Sequence, residues 1–198
     1  MEGRAMKQGH TIEQFLTFFV GGEELAINIL RIREIVAYRT PTRIPGAAAA
    51  LRGVINLRGT VVPILDLGIK LGLGEHPVSK NTCVVVVEVI LDGHLTGVGV
   101  VAESVGQVVE LSPGDIEQPP ALGMRIQGNA VIGLGKLATS FFPILDVDAL
   151  LGHGSELHGA LGAAFGEEHA RGLPPGGGPE EGREATPARP RAPHATPR

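Results

Sequence analysis

A chain of 198 residues, 43% hydrophobic and 19% charged, has the composition of a globular protein of one or two small domains. Its net charge of −4 argues against nucleic acid as the main partner, and no apolar run reaches the roughly 18 residues of a spanning helix, since Glu88, Asp92 and Glu103 interrupt the most apolar region. Aromatic residues make up 4% and Trp is absent, so the core falls to Val, Ile and Leu, whose branching suits pleated sheets.

In chain order, QFLTFFV from Gln14, the turn Gly21-Gly22 and ELAINIL predict a hairpin. An alternating segment through Ile32, Ile35 and Val36 follows, then the connection TPTRIP. An alanine run at 47–51, after Pro45-Gly46, predicts a short helical turn. GVINLRGTVVPILDL, residues 53–67, predicts two closing strands. The second half repeats this order: TCVVVVEVI, the turn Asp92-Gly93 and HLTGVGVVAESV form a hairpin, Val105, Val108 and Val109 mark the next segment, and LSPGDIEQPP is its connection. VIGLGKLATSFFPILDV, residues 131–147, closes it, with a helical turn at 147–151 after Asp146 as N-cap.

The two closing segments are copies of one another. Residues 63–66 and 143–146 match at an offset of 80, but Val54-Ile55 and Val131-Ile132 match at 77, which predicts a three-residue insertion in the second copy at the turn between its strands. Four or five short strands per half are too few for a sandwich but suffice for a small barrel, which removes exposed edges. The expected architecture is all-β, two intertwined barrel halves at roughly 14–75 and 80–151. Residues 1–13 are expected to be a flexible start. Seven of the fifteen prolines follow Gly172, and residues 152–198 are expected to form a disordered tail. Within it, Leu157, Leu161 and Phe165 have helical spacing, but Gly159, Gly162 and Gly166 each cost a helix about 1 kcal/mol.

Catalytic chemistry leaves no trace in the spacing. The seven histidines include no HExxH or finger-like pair, and one cysteine makes no thiolate zinc site, so neither metal nor cofactor is expected. Gly133-Leu134-Gly135-Lys136 fails as a phosphate loop, with Ala130 where the first glycine belongs and Leu137 where a hydroxyl belongs. Asp66 and Asp146, each closing a PIL strand, read as acceptors for the backbone of the next turn rather than as a catalytic pair. Cys83 reads as a small apolar strand residue, and with the N-terminal MEGRAMKQGH, which lacks the apolar middle of a secretory signal, it sets a cytoplasmic expectation. Charge is uneven: residues 31–58 carry six arginines against Glu34, while residues 82–151 carry eight acids against Arg125 and Lys136. A surface of this kind suits orientation between protein partners.

The blocks FLTFFVGGEELAINI, LRIREIVAYRTPTRIPGA, RGVINLRGTVVPILDLGIKLGL, VGVVAESVGQVV, LSPGDIEQPP and GLGKLATSFFPILDVDALL, in that order from about Gln14 to Leu151, resemble the CheW family, the adaptors of bacterial chemosensory arrays. The resemblance implies two five-stranded, SH3-like barrels, no catalysis, and a cytoplasmic adaptor, monomeric in solution, that joins methyl-accepting chemoreceptors to the histidine kinase CheA. An alternative within the same resemblance is a protein-binding module of a parallel chemosensory pathway controlling surface motility or another output. It further implies a receptor- or kinase-binding site at Ile32, Arg33, Glu34, Gly53, Asn56, Leu57, Arg58 and Gly59. Ile32 and Leu57 would give apolar contact to a receptor helix, and Gly53 and Gly59 would serve unusual backbone angles. Arg58 would bind a receptor carboxylate or carbonyl, or else form an internal salt bridge with Glu34. ELAI and the alanine run depart from the family pattern without touching these positions.

Overall fold

The computed structural model describes residues 11–91, 93–119, 130–138 and 140–151. The expected tail and its Leu157–Phe165 spacing lie outside them. The first hairpin is β1 (Glu13–Val20) and β2 (Glu23–Asn28), turning at Gly21 and Gly22, both at positive φ. A one-turn 3-10 segment, Ile29–Arg31, leads to β3 (Ile32–Ala37), and β4 (Leu51–Leu57) and β5 (Thr60–Asp66) follow, with helix α1 (Leu67–Lys70). The second half gives β6 (Cys83–Leu91), β7 (His94–Ala102), β8 (Ser104–Leu111), the two-residue β9 (Ile116–Glu117), β10 (Val131–Leu137), β11 (Ser140–Leu145) and helix α2 (Val147–Leu151).

These strands form two sheets, ordered β8-β1-β2-β11-β10-β9 and β3-β6-β7-β5-β4. The sequence halves interleave. The five-stranded sheet is the continuous run from β3 to β7, whereas the six-stranded sheet joins the first hairpin to everything from β8 onward. Each closing pair therefore docks, in parallel, on the opening hairpin of the other half: β5 on β7 through Ile64 and Gly99, and β11 on β2 through Ile144 and Ala26.

Alternation along β6 shows why its apolar run is continuous. Val85, Val87, Val89 and Leu91 enter a large core shared by both sheets, while Val84 and Val86 turn to a smaller cluster with Val62 and Ile64. Both faces are covered, so neither can be polar, and each buried side chain contributes about 1.5–3 kcal/mol. The smaller cluster also receives Val36 from β3 and Ile55 and Leu57 from β4, the two edge strands, so this sheet curls around it. The six-stranded sheet does the same around Phe15, Ala26, Val109, Leu111, Phe142 and Ile144.

The duplication is more regular than the sequence matching implied. Leu51 pairs with Leu65 and Gly53 with Ile64, out to Leu57 with Thr60; Val131 pairs with Leu145 and Gly133 with Ile144, out to Leu137 with Ser140. Every pair lies 80 residues from its counterpart, and both ladders carry a bulge at the same place, so the expected three-residue insertion is absent. Asp66 N donates to Ala50 O and Asp146 N to Ala130 O, both at 2.8 Å, again 80 apart. The expected helical turn at 47–51 is also absent: two isolated turns occupy it, with Ala47 N reaching Ile44 O and Leu51 N reaching Ala48 O, because Leu51 must enter β4. The expected turn at 147–151 is α2, capped by Asp146 Oδ1, which accepts from Asp148 N at 2.9 Å and Ala149 N at 3.1 Å.

Two carboxylates tie the sheets where the chain crosses between them. Glu103, the single residue between β7 and β8, donates its N–H to Phe19 O and accepts from Gly21 N at 2.8 Å. Asp148 of α2 accepts from Ile90 N at 2.9 Å and pairs with Arg31 at 2.5 Å, beside the other crossover.

Candidate functional site

The NLRG block is the tip of the β4–β5 hairpin. Arg58 and Gly59 are its two turn residues, at φ 52° and 86°, a combination matching the right-handed twist of the flanking strands. Asn56 Oδ1 accepts from Gly59 N at 2.8 Å and holds the turn. A non-glycine residue in the left-handed region costs roughly 1–2 kcal/mol, so Arg58 occupies a strained position with its side chain 82% exposed.

Opposite this tip lies β3. The two strands are at opposite ends of the sheet order, yet Arg58 Nη2 stands 3.1 Å from Glu34 Oε2 because the sheet curls. Arg33 is exposed, Ile32 is half-buried against the shared core, and Leu57 is half-buried against the smaller cluster. The structure thus brings Glu34, Asn56, Leu57, Arg58 and Gly59 together, with Ile32 and Arg33 on the facing strand. Gly53 stands apart. It is buried at φ 134°, and a Cβ there would overlap the Thr42 carbonyl, whose residue bridges to Val54 through N–H···O bonds of 2.8 and 2.9 Å. Its part is architectural.

The neighbouring ionic site was not anticipated from sequence. Asp66, 4% exposed, caps α1 by accepting from Ile69 N at 3.1 Å, as the strand-closing reading expected, but it also accepts from Arg52 Nε at 2.7 Å and from Arg52 Nη2. Glu75 stands 3.3 Å from the same guanidinium. Burial alone would lower the Arg52 pKa; the hydrogen bond and charge of Asp66, with Glu75, outweigh it and hold the group above its ordinary value. The available signal was the repeat: the counterpart of Arg52 is Ile132, so only one of two equivalent aspartates has a cation 14 residues before it. Cys83 is half-buried, and burial pushes its thiol pKa up, away from reactivity. Among the described residues no group of three His, Cys, Asp or Glu side chains is placed to hold a metal ion, and no helix is long and apolar enough to cross a membrane.

A profile of the CheW-like domain matches residues 14–155, most of the chain and every strand of both sheets but for Glu13 at the start of β1. The chain belongs to the CheW family. The chemotaxis protein CheW of Klebsiella aerogenes is 34% identical over 144 residues, covering 72% of this chain and 84% of that protein. Its namesake in Bacillus subtilis is 28% identical over 141 residues, covering 71% and 88%. The crystal structure of the scaffolding protein TtCheW from Thermoanaerobacter tengcongensis superposes with a TM-score of 0.64 at 25% identity, covering 75% of this chain and 93% of that one. The CheW-type arrangement of two sheets is thus the fold of this chain, and a chemotaxis scaffold is its function.

Proposed function

We propose that this CheW-family chain couples chemoreceptors to the histidine kinase CheA at membrane-associated arrays, without catalysis, and that the face around the β4–β5 tip receives the receptor. The observation that carries the site is Arg58: a turn that glycine would fill without strain instead holds a long cation, 82% exposed, beside Leu57 and across from Ile32 and Arg33. A helical receptor segment would meet apolar contact from Leu57 and the exposed edge of Ile32, and its carboxylates or terminal carbonyls would meet the forked donors of Arg58. Gly59 leaves the backbone open to close approach, and Gly53 supports the hairpin from behind.

The rival role for Arg58, a lock on the loop through Glu34, makes a different prediction. Only the Arg58 end of the pair is exposed, Glu34 being 18% exposed, and at about 1 kcal/mol the pair is offset by relief of strain in Arg58→Gly, so this variant should stay within about 1 kcal/mol of the parent by urea unfolding. It should nevertheless lose about tenfold or more in receptor-fragment affinity, as should Arg58→Glu. Parental affinity in Arg58→Gly, or recovery of binding when Glu34→Arg is added to Arg58→Glu, would refute the assignment in favour of the lock. Coupling is tested separately: CheA activity in a reconstituted array should come under receptor control only when this chain is added.

A further inference from the structure

Away from the β4–β5 tip, the start of β1, the end of β2 and the 3-10 segment enclose a groove. Its floor is Ile12, Ile29 and Leu30, with Ile12 60% and Leu30 85% exposed. Its rim carries two carboxylates. Glu13 accepts from Asn28 Nδ2 at 2.8 Å and Glu110 from Gln14 Nε2 at 3.0 Å; among the described residues neither has a cation partner. An apolar floor beneath two acids that have no cation partner among the described residues fits an extended cationic segment with small apolar side chains.

The chain itself supplies one. After Glu184 the sequence is ATPARPRAPHATPR, with Arg189, Arg191 and Arg198, no acid, and apolar Ala and Pro between the charges. The last described helix reaches the segment that borders the groove: Asp148 of α2, which runs to Leu151, pairs with Arg31, the residue after Leu30. The 33 intervening residues, 152–184, are chain enough to reach back to the groove, since that many residues can extend to roughly 110 Å, and a covalent tether raises the local concentration of its end. We infer that residues 185–198 dock in this groove of their own chain, with the arginines at Glu13 and Glu110 and the intervening Ala and Pro over Leu30. The groove adjoins Ile32, so the docked tail is a built-in competitor for any cationic segment approaching from that side.

The test uses the full chain, isotope-labelled, with Cys83→Ala and a nitroxide at Ala195→Cys. Amide signals of Ile12, Leu30 and Glu110 should lose at least half their intensity, and recover near 1 M salt, where the Debye length is about 3 Å. Glu13→Lys with Glu110→Lys should abolish the loss, and adding Arg189→Glu and Arg191→Glu should restore it. Should the cysteine pair impair folding, shift differences at the same amides between the parent and the Arg189→Glu, Arg191→Glu, Arg198→Glu variant give the same reading. Loss of intensity on another face, uniform or absent loss, or loss seen only between labelled and unlabelled molecules in a mixed sample, which would make the occupant a second copy, overturns the inference.

Discussion

The internal duplication supplies its own control for the Arg52–Asp66 pair. Asp66 and Asp146 each end a closing strand, donate backbone N–H to an alanine 16 residues earlier and cap a short helix. Among the described residues only Asp66 also holds an arginine, with side chains 6% and 18% exposed. Replacing Asp146 with Ala should cost the cap, about 1 kcal/mol. Replacing Asp66 with Ala removes the same cap and also leaves a largely buried guanidinium unpaired, a loss of about 3–5 kcal/mol for a fully buried pair. Arg52 retains some water and can turn to Glu75, itself 70% exposed, so a total of about 3 kcal/mol is expected. Urea unfolding of the two variants, checked for unchanged m, should therefore separate them by about 2 kcal/mol, or a melting difference of about 4–8 °C. Pairing Asp66→Ala with Arg52→Met should recover part of the loss, since an apolar side chain needs no partner. Equal destabilisation by the two aspartate variants would show that the ion pair contributes nothing beyond the cap.

Other outcomes follow from single positions. Gly53→Ala drives a Cβ into the Thr42 carbonyl and should cost about 3 kcal/mol or more, whereas Gly59→Ala, with open space but φ of 86°, should cost about 1; comparable losses would place the strain elsewhere. The Asp115 carboxylate accepts from the Ser112 hydroxyl at 2.6 Å and the Ser112 N–H at 2.9 Å, which hold its pKa below the ordinary value. Its stabilising contribution is thus complete above the unfolded-state value near 3.9 and fades as pH falls through the lower folded one. Carbon-detected titration should show that depressed midpoint, and Ser112→Ala should raise it; an unmoved midpoint would deny the hydroxyl its part. Cys83 should react with a disulfide reagent at pH 8 more slowly than the same chain in urea, and equal rates would contradict its burial.

Local signals were legible in the sequence because their causes are local. Gly21-Gly22 fixed one hairpin, Asp146 announced a helix cap, and Asp66 announced an acceptor for the backbone of the next turn, though not the helix α1 that it caps. The tip that holds Asn56, Arg58 and Gly59 was found through the NLRG block, but its approach to Glu34 depends on curvature across the whole sheet, which no window of residues contains. The supposed insertion came from matching Val54-Ile55 to Val131-Ile132; the true counterpart of Val54 is Leu134, and period-two apolar strands offer several such alignments. The alanine run at 47–51 has helix propensity, but Ala50 O is required by Asp66 N and Leu51 by β4, so tertiary pairing overrode it. Arg52 was counted only as surface charge, since nothing nearby in sequence says that it faces Asp66.

The exchange of opening hairpins between halves has a mechanical corollary. Cutting between residues 75 and 80, where the text of the sequence divides, leaves two fragments each owning strands of both sheets and completing neither. Among the described residues, Glu103 and Asp148 pin the two crossings between the sheets, where a hinge would otherwise form. In the proposed coupling role, a displacement imposed by one bound protein would arrive at the other as whole-body rotation rather than as bending within the connector.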